Sequence, residues 1–350
     1  MNSSNTKRES GVELLRIFAI LGVVVLHYNN PVFGNALELT KDDSVKHTFL
    51  MILQSLCVPA VDIFMIISGY FMCEKKSIRI VKPFELLAQV MIFGGVLYVL
   101  DTLISGGALS LKECFTKMIP ANYFVILYIA VYFLSPFVNK MINNVDIKKM
   151  FIVLIILFAV YPTLVDFYYD ITGSGRTGLS TIGAYGSQRG YTVVNFLLMY
   201  ITGAFIRKAK LDEKYTSKLM LAAVTAVCMG ITLAVSSYFP EAAQEYCNPV
   251  LVVQAAAIFL LFRQIKFSSG IVNTLAKGAF TCYLAHTAFI KYIDVSGNVS
   301  KGLPVMAGHL IVSLIGIYAV CFVMYLVWSL AVKLVYKLFP KLTEKTLEEK

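Results

Sequence analysis

Charged residues are scarce in this sequence. They fill 15% of its 350 positions, while hydrophobic residues fill 58%; a soluble domain carries roughly a quarter charged residues. A water-soluble globular fold is thereby excluded. The signatures of soluble-enzyme chemistry are missing too: there is no GxxxxGKS or GxxxxGKT phosphate cradle, no GxSxG nucleophile turn and no HExxH zinc pair. Redox, ATP-driven and metal chemistry lose support, and no metal is expected. Neither a repeat of fixed period nor a Pro/Gly/Ser linker divides the chain.

The apolar residues gather in runs near the roughly 20 residues that carry a helix across a hydrocarbon core about 30 Å thick. Runs such as "MFIVLIILFAV" and "HLIVSLIGIYAVCFVMYLVWSLAV" are apolar on every face. A membrane β-barrel alternates apolar with polar residues, so these runs predict helices in lipid. Ten spans are expected, at 11–29, 47–72, 83–104, 121–138, 150–165, 190–206, 219–238, 248–262, 278–293 and 305–332. The expected fold is an all-α polytopic membrane helical bundle, with one transmembrane domain over 1–335 and a charged cytoplasmic tail over 336–350. Lys7 and Arg8 ahead of the first run imitate a secretory signal. Arg16 interrupts that run and no small-x-small site follows Asn30, so the segment reads as a retained first helix.

A net charge of +10 would by itself point to nucleic acid, but its distribution argues otherwise. Of the 31 Lys and Arg, only Lys41, Lys46, Lys112, Lys117, Arg176, Arg189, Lys291 and Lys301 fall on one side of the expected spans. Every other one except Arg16 falls on the opposite side. The positive-inside rule then makes both termini cytoplasmic in a multi-pass protein of the cell membrane, and anionic lipid headgroups are the expected contact of the basic face.

Seven cysteines are an odd number without metal-type spacing and read as small buried apolar residues. Cys114 and Cys247 are placed where they could face the outside and bridge to each other. The longest polar interruption, "DFYYDITGSGRTGLSTIGAYGSQRG" at 166–190, lies on the outer side. Loops of that length are mobile covers, binding elements or solvated connectors. Its tyrosines and arginines suit a carbohydrate or an anionic acceptor.

Hydrophilic residues inside such runs carry the information about chemistry. The first run, "LLRIFAILGVVVLHYN", holds Arg16 and His27. On a helix turning roughly 100° and rising roughly 1.5 Å per residue, they lie within about 20° on one face and about 16 Å apart. Glu13 joins that stripe within reach of Arg16. An unpaired charge in hydrocarbon costs at least about 2.5 kcal/mol, so the stripe is expected to line a cavity or pair with another helix. The alternative has Arg16 snorkelling to the interface beside Glu13, with His27 as an interfacial cap.

The remaining histidines, His47, His286 and His309, also fall in the outer half of their spans, which points to an outward-facing acid/base centre. His27 has the best claim, because its stripe leads back to Arg16. Asp62, in "VPAVDIFMIISGYFM", lies near mid-membrane and needs Arg16, a histidine or another hydrogen-bonding partner. Pro59 before it loosens the helix. Ser68 and Gly69 allow close approach by a neighbouring helix or a ligand. Glu85 and Asp101 are expected to reach interfaces.

The segments "RESGVELLRIFAILGVVVLHYNN", "VPAVDIFMIISGYFM", "NYFVILYIAVYFLSPFVN", "NFLLMYITGAFIRK" and "GAFTCYLAHTAFI" occur in this order over most of the chain. Together they resemble the membrane-bound acyltransferase 3 family, which includes bacterial O-antigen and exopolysaccharide acetyltransferases and the membrane part of vancomycin-resistance serine racemases. The resemblance implies a ten-helix core that takes an acetyl group from cytoplasmic acetyl-CoA and delivers it to a hydroxyl of a cell-surface glycan or lipid-linked sugar. It also implies that His27 and Arg16 form the essential pair. Asp62 is expected to orient the base or balance Arg16, with His286 behind it. Ser68, Gly69, Tyr70, Lys75, Lys76 and Arg79 are candidate contacts of the CoA. Larger members carry a fused esterase-like domain that this sequence lacks, so acceptor selection is expected to come from loops or a partner. A transporter or flippase with a polar midplane site fits the same residues, as does a racemase-associated transport module without acyl transfer. A CoA site coupled to an outer base separates the enzyme from both.

Overall fold

Local chemistry marks where the helices begin. Asn122, Thr192, Ser217 and Asn248 each accept a backbone N–H with the side chain at a helix start, the capping role that short polar side chains fill best. Pro249 follows Asn248 at the first helical position, where its missing N–H costs nothing.

The computed structural model of the protein describes residues 9–173, 192–340 and 346–348. Its principal helices are α1 (Ser10–Asn29), α2 (Ser44–Cys57), α3 (Ala60–Met72), α4 (Val81–Ile104), α5 (Tyr123–Asn144), α6 (Ile147–Ile155), α7 (Tyr161–Thr172), α8 (Val193–Lys208), α9 (Lys218–Ser236), α10 (Pro249–Arg263), α11 (Ala279–Ile290) and α12 (Leu303–Leu338). One short antiparallel pair, Ser77–Arg79 with Thr346–Glu348, is the sheet found among the described residues. The protein is thus an all-α polytopic bundle.

Among the described residues, eight stretches are long and apolar enough to cross a membrane: α1, α2 with α3, α4, α5, α6 through α7, α9, α10 with the turn before it, and α12. The expected spans at 190–206 and 278–293 are instead the 16-residue α8 and the 12-residue α11. Both lie largely buried among other helices. A helix flanked by protein has no need to match the hydrocarbon thickness. The expected polar loop begins later than 166, because α7 continues to Thr172; positions 174–190 of it lie outside the described residues. All seven cysteines are free: Cys114 sits half-buried on the helix Leu111–Met118, while Cys247 is fully buried before α10.

At two of the prolines inside spans, a side chain takes up the freed carbonyl. Pro59 breaks the expected 47–72 span into α2 and α3. Lacking an N–H, it leaves the Ser55 carbonyl free, and Gln254 on α10 donates to it at 2.8 Å. Pro136 does the same to the Tyr132 carbonyl inside α5, and the Ser135 hydroxyl donates there at 2.7 Å.

The closest packing joins α3 to α8. The backbone of Gly69 lies against the Tyr200 carbonyl, and that of Gly203 against the Ile66 carbonyl, with no room for a Cβ at either. Without a hydrophobic drive between helices in lipid, such small-residue contacts let dispersion and backbone approach hold them together. Around this centre α4, α6, α7, α9 and α12 turn apolar side chains outward, among them Phe84, Val153, Leu164, Val227, Val312 and Leu330.

Candidate functional site

Two cavities share four of the helices that line them. The inner one, of about 260 Å³, is lined from α1 by Arg16, from α3 by Phe64, Ile67 and Ser68, from α5 by Phe124 and Tyr128, and from α11 by Ala279, Phe280 and Tyr283; Lys82 and Leu86 on α4 close it. The outer one, of about 990 Å³, receives Val23, Leu26 and His27 from α1, Val61 from α3, Tyr123 from α5, and Tyr283, Leu284, His286 and Thr287 from α11. Each of α1, α3, α5 and α11 therefore passes from one cavity to the other. Arg16 and His27 share a helix face, and that face ends in a different chamber at each end.

Backbone carbonyls fix the tautomers of the two histidines that line the outer cavity. His286 Nδ1 lies 2.9 Å from the carbonyl oxygens of both Cys282 and Tyr283. Carbonyls only accept, so Nδ1 carries the proton and the neutral ring keeps its lone pair on Nε2. His27 Nδ1 lies 2.9 Å from the Val23 carbonyl and must carry a proton as well. That N–H also points to His286 Nε2, at 3.3 Å. The lone pair of His27 is left on Nε2, on a side chain that lines the outer cavity beside Phe33. This is the arrangement of a base held by a second group.

His47 and His309 are placed elsewhere. His309 Nδ1 pairs with the Tyr28 hydroxyl at 3.0 Å, and His47 Nδ1 lies 3.2 Å from the Leu37 carbonyl. Neither lines the cavity; both tie outer segments to the bundle. Arg16 donates to Glu13 at 2.6 Å, so its carboxylate partner is its own helix neighbour. Asp62 lines neither cavity; its side chain is buried and turned toward Asn195 on α8.

The other residues expected near the donor separate into groups. Ser68 lines the inner cavity, its hydroxyl bonded back to the Phe64 carbonyl at 2.9 Å. Gly69 is spent on the α3–α8 contact. The Tyr70 hydroxyl donates to Asp212 at 2.6 Å, and Arg263 reaches the same carboxylate at 2.8 Å while also pairing with Glu9. Lys75, Lys76 and Arg79 are exposed at the same end of the bundle. Beside them Glu74 accepts from Arg207 at 2.6 Å, which holds its carboxyl below the usual range.

Lys82, Tyr283, Asn122 and Arg263 were not singled out from the sequence. Lys82 looks like one more positive-inside residue, and Arg263 like a helix end. Tyr283 could have been found: it lies one turn before His286 and so on the same helix face. Asn122 Oδ1 accepts from the Tyr283 hydroxyl at 3.0 Å and caps α5. The outer cavity offers further amides and carboxylates in Asn30, Gln54, Gln244, Glu38, Glu241 and Glu245, a set that can exchange hydrogen bonds with a hydroxyl-rich molecule. Asp166, Glu245 and Cys247 bring potential ligand atoms within 4.8 Å of one another.

A family model described as "Acyltransferase domain" matches residues 9–334, nearly the whole chain. No curated protein and no solved structure matches it.

Proposed function

Because the chain belongs to the membrane-bound acyltransferase 3 family, we propose that it moves an acetyl or similar acyl group from cytoplasmic acyl-CoA to a hydroxyl of an exported glycan or lipid-linked sugar, with His27 as the general base. The observation that carries this reading is the His27 Nε2 lone pair in a roomy outer cavity, aligned through the same four helices with a smaller cavity that holds Arg16. In this reading the donor enters from the basic end. Arg16 and Lys82 meet its phosphates or carbonyls, Ser68 flanks the pantetheine arm that carries the thioester, and Lys75, Lys76 and Arg79 hold the exposed nucleotide by charge. The plasma membrane is the location that gives such an enzyme CoA on one side and exported sugars on the other.

The chemistry then balances simply. The acceptor O–H gives its proton to His27 Nε2 as its oxygen attacks the thioester carbonyl. The C–S bond breaks, the ester forms, and the imidazolium returns the proton to the departing thiolate. His286 Nε2 accepts the His27 Nδ1–H throughout, so the ring keeps its orientation while it becomes positive. The amide and carboxylate lining suits a polyhydroxylated acceptor.

Incubating the purified protein in detergent with labelled acetyl-CoA and glycan acceptors tests the reading. Label transfer, or slow acetyl-CoA hydrolysis, that disappears in His27→Ala supports it. Sugar movement into liposomes without CoA release identifies a carrier and removes the acyltransferase reading.

A further inference from the structure

The inner and outer cavities have separate linings, with one exception among the described residues: Tyr283 belongs to both. Its ring stands 4.8 Å, centroid to centroid, from that of Phe124, which lines the inner cavity. Its hydroxyl reaches to Asn122, which lines the outer one. The residue common to both linings is held at its side-chain tip by a hydrogen bond of 3.0 Å to Asn122, and a side chain can rotate where backbone cannot. The Tyr283 carbonyl also accepts from His286, so this residue and the support of the base share one helical turn.

We propose that Tyr283 is the partition between donor and acceptor chambers and sets the size of acyl group that reaches His27. This rests on the acyl-transfer reading above. In that reading the thioester must pass the Tyr283 ring to meet the acceptor. A two-carbon acyl group passes beside the ring, and a long chain meets it. The same ring keeps water of the outer cavity off the thioester until the arm has entered. Attack by water instead of a sugar hydroxyl breaks the same C–S bond and yields free carboxylic acid and CoA, so leakage and acyl size are two readings of one barrier.

The test compares wild type with Tyr283→Phe, Tyr283→Leu and Tyr283→Ala in detergent, each checked for monodispersity and thermal midpoint. CoA release from acetyl-, butyryl- and octanoyl-CoA is measured by chromatography with and without acceptor. Tyr283→Ala and Tyr283→Leu are expected to raise the octanoyl-to-acetyl rate ratio roughly tenfold, the scale of discrimination that a pocket wall provides, and to raise acceptor-independent hydrolysis relative to transfer. Tyr283→Phe keeps the ring and is expected to keep the wild-type chain-length profile. A folded Tyr283→Leu or Tyr283→Ala with unchanged chain-length profile and hydrolysis-to-transfer ratio overturns the partition alone. Wild-type protein that releases no CoA from any donor overturns the acyl-transfer reading, and the partition with it.

Discussion

His27 and His286 meet edge to face, their ring centroids 4.7 Å apart and their planes at 76°. The contact spans 259 residues of sequence and joins α1 to α11. One ring is left with an open lone pair and the other only with supporting bonds, so their substitutions are expected to differ. His27→Ala removes the base and should lower transfer by about 10²–10⁴-fold. His286→Ala removes one hydrogen bond to that base and should lower kcat by roughly tenfold, with KM for acetyl-CoA unchanged. Steady-state kinetics on both variants checks this; equal losses would mean that His286 does more than orient.

Arg16 donates to Glu13 and still lines the inner cavity. Losing a charge-assisted contact to a donor phosphate or carbonyl should raise KM for acetyl-CoA about tenfold or more in Arg16→Ala. Glu13→Gln leaves the guanidinium in place and should raise it less. Calorimetric titration of acetyl-CoA into each variant measures the same difference without turnover.

Gln254 satisfies the Ser55 carbonyl that Pro59 leaves free. Gln254→Leu should cost about 1–3 kcal/mol, the penalty of an unsatisfied buried group, and lower the thermal midpoint in detergent. Pro59→Ala restores the missing N–H. Combined with Gln254→Leu it should recover part of the loss, so the double variant is expected to be more stable than the two single effects summed.

Gly203 touches the α3 backbone at Ile66 with no space for a methyl group. Gly203→Ala should force α3 and α8 apart at a cost of about 1–3 kcal/mol. Gly230 on α9 has open space around it, so Gly230→Ala should leave the midpoint unchanged or raise it slightly. A thermal melt of the two variants separates a packing glycine from an incidental one.

Much of the architecture was legible because a bilayer makes hydropathy nearly sufficient. A run without charge has to be a helix there, and Pro59 marks where its helix loosens. The stripe of Arg16 and His27 was legible for the same reason: helical geometry alone puts residues eleven apart on one face. Where neighbours mattered, the reading failed. Nothing local to α8 or α11 says that other helices surround them or how short each one is. Asp62 stands out by its charge, but its charge does not say which way its helix turns, and it turns to Asn195 rather than to Arg16 or a histidine. Tyr70 belongs to a cluster with Asp212 and Arg263 that no spacing encodes.

By itself, then, the sequence determined an all-helical membrane bundle and a hydrophilic stripe on its first helix, because both follow from solvent and from the period of one helix. Only the tertiary structure decided which of four histidines faces the cavity with its lone pair, which tyrosine lines both chambers, and which carboxylate stays out of the site. Those depend on contacts between residues far apart in the chain, and they are set by how α1, α3, α5 and α11 rotate against one another.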